Sequence, residues 1–164
     1  MTLALAIRDA VIDWGSYYSN HAVLRTFIAF AHVGGLVVGG GAAMVADRGI
    51  LAAIKRGDVV ERQSLLISVR NTHAVVLFGL VAVMASGVLL FAADVDTYIA
   101  SRLFWTKMAL VALLMINGVV LTRAEQRAAG GDGGSWGTLR WTAIASLALW
   151  FLTTLTGTGL LNMG

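Results

Sequence analysis

Residues 71–93 read NTHAVVLFGLVAVMASGVLLFAA, with no Asp, Glu, Lys or Arg among them. As a helix rising 1.5 Å per residue this stretch covers about 35 Å. The hydrocarbon core of a bilayer is ~30 Å thick. Three similar segments accompany it, at roughly 22–46, 103–122 and 141–161. The first has room to start near Asn20 and to continue a turn or two past Asp47. In lipid a spanning backbone must satisfy its own N–H and C=O groups, which here means helices. The expected fold is therefore all-α, an integral membrane bundle of four transmembrane helices occupying residues 20–164.

Composition agrees. Charged residues make up 13% of the 164-residue chain and hydrophobic ones 58%, with a mean hydropathy of +0.80. A soluble domain carries about 25% charge, so too little polar surface remains to face water, and the bilayer is the expected partner. The net charge of +3 does not read as nucleic-acid binding, because the basic residues flank apolar segments and form no stripe. With no cysteine present, disulfides and thiolate metal sites are excluded.

Residues 1–19 differ in character. Leu3, Ile7, Val11, Trp14 and Tyr18 share one helical face, with Arg8, Asp9 and Asp13 elsewhere. The spacing predicts an amphipathic helix lying in the membrane interface and ending in the aromatic cluster Trp14, Tyr17 and Tyr18. The links between spans are expected at 47–70, 94–102 and 123–140. Eight of the twelve Lys and Arg residues lie in the first and third of these. The positive-inside rule then places both in the cytoplasm and both termini outside, in a bacterial-type inner (plasma) membrane. The run AGGDGGSWG at 129–137 lacks the preceding strand and the G-K-S/T ending of a phosphate loop. It reads as a flexible connection.

A polar side chain within lipid needs a reason. His32, in FAHVGGLVVGGGAAM, is the most informative, because Gly35 and Gly39 fall on its helical face. Ala31, Gly35, Gly39 and Ala43 recur every four residues, a small-xxx-small pattern that lets helices approach closely. Two readings stand side by side. The glycine seam packs against a neighbouring helix, a membrane partner or an identical copy. Alternatively, His32 ligates heme iron or another metal beside a flat, side-chain-free surface. Lys107 enters span three from the same side and to a similar depth. It is placed to pair with an anion such as a propionate or a quinone oxygen, or to snorkel to the interface. His73 begins span two near the opposite face, about 20 Å from His32 along the membrane normal, and reads as interfacial. His21 lies near the outer surface. Asn117 and the Ser146/Trp150/Thr153/Gly157 stripe read as interhelical hydrogen-bonding seams.

The motifs AHVGGLVVGGG around His32 and FWTKMAL around Lys107, with SGVLLFAAD (86–94) and SLALWFLTTLTGTG (146–159), resemble the CopD-like membrane superfamily. That group includes copper-resistance CopD domains and HemJ-type protoporphyrinogen oxidases. The resemblance covers residues 26–160. It implies His32 as a heme b ligand with Gly35, Gly39 and Lys107 in the cofactor site, or His32 as a copper contact, in electron transfer or redox handling. The chain departs from both patterns. GGLVVGGGAAMVADRG only partly matches the Arg- and aromatic-rich continuation of HemJ-type proteins, and CopD-type proteins have more spans. No catalytic constellation is legible, so whether the chain is an enzyme stays open. The alternative is a non-enzymatic scaffold or complex subunit packing through Gly35 and Gly39.

Overall fold

The computed structural model describes residues 3–163, with side chains over 6–160 and at Asn162; Met1, Thr2, Gly164 and the side chain of Leu3 lie outside the described residues. All regular structure in it is helical. The elements are α1 (Leu3–Asn20), α2 (Ala22–Gly35), a π-turn (Leu36–Gly40), α3 (Gly41–Arg56), α4 (Val59–Ala93), α5 (Val95–Ala100), α6 (Arg102–Ala129) and α7 (Ser135–Met163). Four helices are long and apolar enough to cross a membrane: Ala22–Arg56 (α2, the π-turn and α3 in one rod), α4, α6 and α7. Their outward faces carry large apolar side chains such as Phe30, 72% exposed, and Phe78. Such faces suit lipid and not water.

The rods outrun the hydrocarbon. At 35 residues each, the first two span about 50 Å. The expected link 47–70 is thus mostly helix, broken only at Gly57 and Asp58. Gly57 takes the left-handed conformation at φ 81° that closes a helix. The Asp58 carboxylate accepts from the backbone N–H of Val60 and Glu61 and starts α4. The link 123–140 likewise shrinks to a short turn between α6 and α7. There Asp132 accepts from Gly134 N–H and the Ser135 hydroxyl. The Ser135 hydroxyl above all, then Gly134 N–H, hold this carboxyl below the usual carboxylate range.

Both tight turns lie at one end of the bundle, the turn end, and the chain termini at the other. At the turn end Ile50, Leu66, Val69, Ala124, Ala128, Leu139 and Ala143 form a closely packed core. Such packing suits helix ends in water, where apolar groups must find each other, whereas in lipid they need not. At the terminal end α1 leans on α4. Trp14 Nε1 donates to the Leu89 carbonyl at 3.0 Å. Val11, Trp14, Gly15 and Tyr18 are the half-buried positions of α1's last turns, so Val11, Trp14 and Tyr18 of the apolar face read from sequence are in contact, while Ile7 is exposed.

The glycine seam is filled from within the chain. A Cβ built on Gly35 would stand 2.9 Å from the Gly79 carbonyl oxygen, and one on Gly39 3.0 Å from Gly79 Cα. Ala31, by contrast, is exposed. The buried series is Gly35, Gly39, Ala43 and Asp47, a spacing of four that an α-helix would rotate by about 120° over twelve residues. The π-turn at Leu36–Gly40 absorbs one residue and cuts that drift to about 20°. It also turns Gly40 toward α7, where a Cβ would meet the Trp150 ring at 3.0 Å.

Candidate functional site

The four long rods form an incomplete ring. The first rod packs on α4 and on α7, and α7 packs along α6, while α4 and α6 barely touch. Two clasps join the unpaired helices. Near the terminal end, Phe91 of α4 stacks on Phe104 of α6 with ring centroids 5.3 Å apart, and Tyr98 of α5 abuts Phe104. Near the turn end, His73 Nε2 of α4 lies 2.9 Å from Glu125 Oε2 of α6. Between the clasps is a cavity of about 720 Å3. Its walls are Val76, Leu77 and Leu80 of α4 and Leu114, Met115, Gly118 and Val119 of α6. Its back is Ala43, Asp47, Ser146 and Trp150. Leu77, Met115 and Val119 are exposed, so the cavity opens sideways between α4 and α6.

Two polar layers bracket this slit. The upper one contains the residues singled out from sequence. His32 Nδ1 lies 3.1 Å from the Val83 carbonyl oxygen and 3.0 Å from Ser86 Oγ, with its ring over Gly87 of α4. The carbonyl can only accept, so Nδ1 carries the proton and Nε2 keeps its lone pair. Lys107 does not turn outward along the helix. Its Nζ would lie 3.3 Å from a Cβ on Gly157 of α7, and its charge reaches the His32 ring. His32 and Lys107 therefore do come to one level, as their depths predict. Among the described residues Lys107 has no carboxylate partner.

The seam beside His32 leaves no room for a porphyrin. Gly79, Ala82 and Val83 of α4 already occupy the surface that Gly35 and Gly39 would offer it. Nor do the described residues group three His, Cys, Asp or Glu side chains closely enough to hold a metal ion. His73 lies opposite residue 45 in the antiparallel register set by Gly39 and Gly79. That puts it about 20 Å from His32 along the axis, so the two imidazoles do not face one another across a shared site. His21 is exposed at the terminal end, its Nδ1 against the Tyr17 carbonyl at 2.7 Å.

The lower layer combines Asp47 and Glu125, which sequence reasoning placed in links, with His73, read as interfacial, and Ser146, read as part of an interhelical seam. Asp47 is 1% exposed and Glu125 7%. Ser146 of α7 sits beside the Asp47 carboxyl, and the Asp47 and Glu125 carboxyls are close enough to interact. A usable signal was present: Asp47 continues the four-residue series Gly35, Gly39, Ala43. Of the stripe on α7, Ser146, Trp150 and Thr153 are buried, and Asn117 Nδ2 donates to the Thr142 carbonyl at 3.0 Å.

No curated protein and no solved structure matches the chain. A family model does match it over residues 13–161, from the middle of α1 to the end of α7, and so takes in the slit, both clasps and both polar layers. The chain belongs to the family of unknown function DUF6644.

Proposed function

We propose that this protein binds a lipid-soluble, quinone-like molecule from the bilayer, in the slit between α4 and α6, as part of redox handling at the membrane. The observation that carries the reading is the sideways cavity of about 720 Å3 in a bundle that closes on its other sides. Its apolar walls suit an isoprenoid or alkyl tail, and Trp150 offers a ring face for stacking. His73 and Ser146, at one end of the same cavity, supply hydrogen-bond donors for ring oxygens. Ligand sites of this kind are concave and mostly apolar, with a few convergent polar groups. The Lys and Arg asymmetry supports a multi-pass protein of a bacterial-type plasma membrane, turn end in the cytoplasm and termini outside.

A second reading puts heme b or copper on His32, in line with the CopD-like resemblance. One observation favours it: Nδ1 is engaged by Val83 and Ser86, the outer-shell arrangement that orients an imidazole for ligation through Nε2. It requires α2 and α4 to part along their glycine contact. The scaffold reading remains for the exposed faces, since α4 of the same chain already uses the Gly35/Gly39 seam.

Purified full-length protein in mild detergent, titrated with a short-chain benzoquinone and followed by tryptophan fluorescence, separates these readings. A Cβ on Gly118 meets nothing within 4 Å, so Gly118→Leu fills the slit without displacing a helix. Saturable quenching should weaken at least tenfold in that variant and persist in His32→Ala. Quenching indifferent to Gly118→Leu refutes the slit. A Soret band in wild type that vanishes in His32→Ala would install the heme reading instead.

A further inference from the structure

Asp47 and Glu125 lie where neither membrane packing nor the proposed ligand requires two acids. Each leaves one carboxyl oxygen, Asp47 Oδ2 and Glu125 Oε1, buried and without a hydrogen-bond partner. An ionised carboxylate only accepts, and an unsatisfied buried acceptor is costly. The donors at hand are two, the Ser146 hydroxyl beside Asp47 and the His73 ring nitrogen on Glu125 Oε2.

Cations do not make up the deficit. Among the described residues the ion pairs are Arg56–Glu61 and His73–Glu125. From α3 the cluster is faced by Asp47, from α4 by His73, from α6 by Glu125 and from α7 by uncharged Ser146. The neighbouring Arg48, Arg70, Arg123 and Arg140 are exposed; Arg123 lines the slit with Asp47 and His73 but forms no ion pair with either acid. A metal ion would need a fuller ligand set than these groups form.

We infer that Asp47 and Glu125 together bind one exchangeable proton, which His73 passes to and from the surroundings. Bound, the proton leaves the two buried acids with a single negative charge instead of two. On release, the O–H bond breaks, its electrons stay on the carboxylate, and the proton moves through Glu125 to His73. The His73 side chain is 35% exposed and also lines the slit, so it reaches both the pair and the outside. The arrangement is a proton site at one end of the slit, which Asp47 and His73 also line.

Infrared difference spectroscopy of the full chain in H2O and D2O at neutral pH tests this directly. A protonated carboxyl shows a carbonyl stretch that shifts on deuteration, and wild type should show one. Both Asp47→Asn and Glu125→Gln should lose or displace that band, while Asp9→Asn, on the exposed face of α1, should keep it. Absence of the band in wild type overturns the proposal even if neither variant folds. So does a band that survives unchanged in both variants, because it then belongs to another carboxyl.

Discussion

Replacing Gly79 with alanine asks the structure to yield at its closest helix contact. The added Cβ would stand 2.4 Å from Gly39 Cα, 2.5 Å from Gly39 N and 2.7 Å from the Gly35 carbonyl oxygen. All three are backbone atoms, so no rotamer change relieves the overlap. Carbon atoms rest at about 3.5–4.0 Å, and α2 and α4 must therefore separate by roughly 1 Å. Two turns further along α4, the contacts of His32 Nδ1 with Ser86 and Val83 at 3.0 and 3.1 Å would stretch past useful hydrogen-bond length. Overpacking costs about 1–3 kcal/mol, and an intramembrane hydrogen bond averages about 0.6 kcal/mol. The expected destabilisation is about 3 kcal/mol, near two powers of ten in the folded-to-unfolded ratio. Unfolding by SDS titration in mixed micelles, followed by near-UV circular dichroism, measures it. Gly41→Ala and Gly118→Ala are the controls, since neither Cβ meets anything within 4 Å, and both should gain up to about 1 kcal/mol of helix propensity. A Gly79→Ala protein as stable as the Gly118→Ala one would refute the close-contact argument.

Deleting Val38, an exposed residue of the π-turn, should leave a regular α-helix with Gly35, Gly39, Ala43 and Asp47 still on the interior face, and near-native circular dichroism. Deleting exposed Val45 should instead rotate everything after it by about 100° and abolish folding; equal damage from both deletions would mean that the π-turn absorbs no residue. A reporter fused after Gly164 should read as extracytoplasmic and one inserted near Gly131 as cytoplasmic. The opposite pattern overturns the orientation drawn from the Lys and Arg asymmetry.

The four spanning helices were legible because hydrocarbon imposes a length and forbids charge, and residues 71–93 meet both conditions without exception. That criterion is silent once a helix leaves the bilayer. Hydropathy falls near Asp47 and Arg123, yet the helices run on, because Ile50, Leu66, Ala124 and Leu139 bury one another past that point. Reading the fall in hydropathy as the start of a link cost the site its lower layer: Asp47, given at most a turn or two of helix beyond the span, and Glu125, placed in a link, stand inside the bundle. The upper layer survived, since His32 and Lys107 lie deep enough in their spans for depth alone to bring them level. The glycines were read as a contact face, with the occupant left open between a neighbouring helix, a membrane partner and an identical copy. Small residues specify that something approaches closely, and only the register of α2 on α4 shows it to be Gly79. The π-turn was the least visible feature, because no residue type demands it. It follows from the geometry of a four-residue repeat, which keeps Gly35 and Asp47 on one face only if a residue is absorbed between them. That single turn therefore links the two ends of the argument. It holds the glycine seam against α4 and, twelve residues on, brings Asp47 to the axis where Glu125 and the slit meet it.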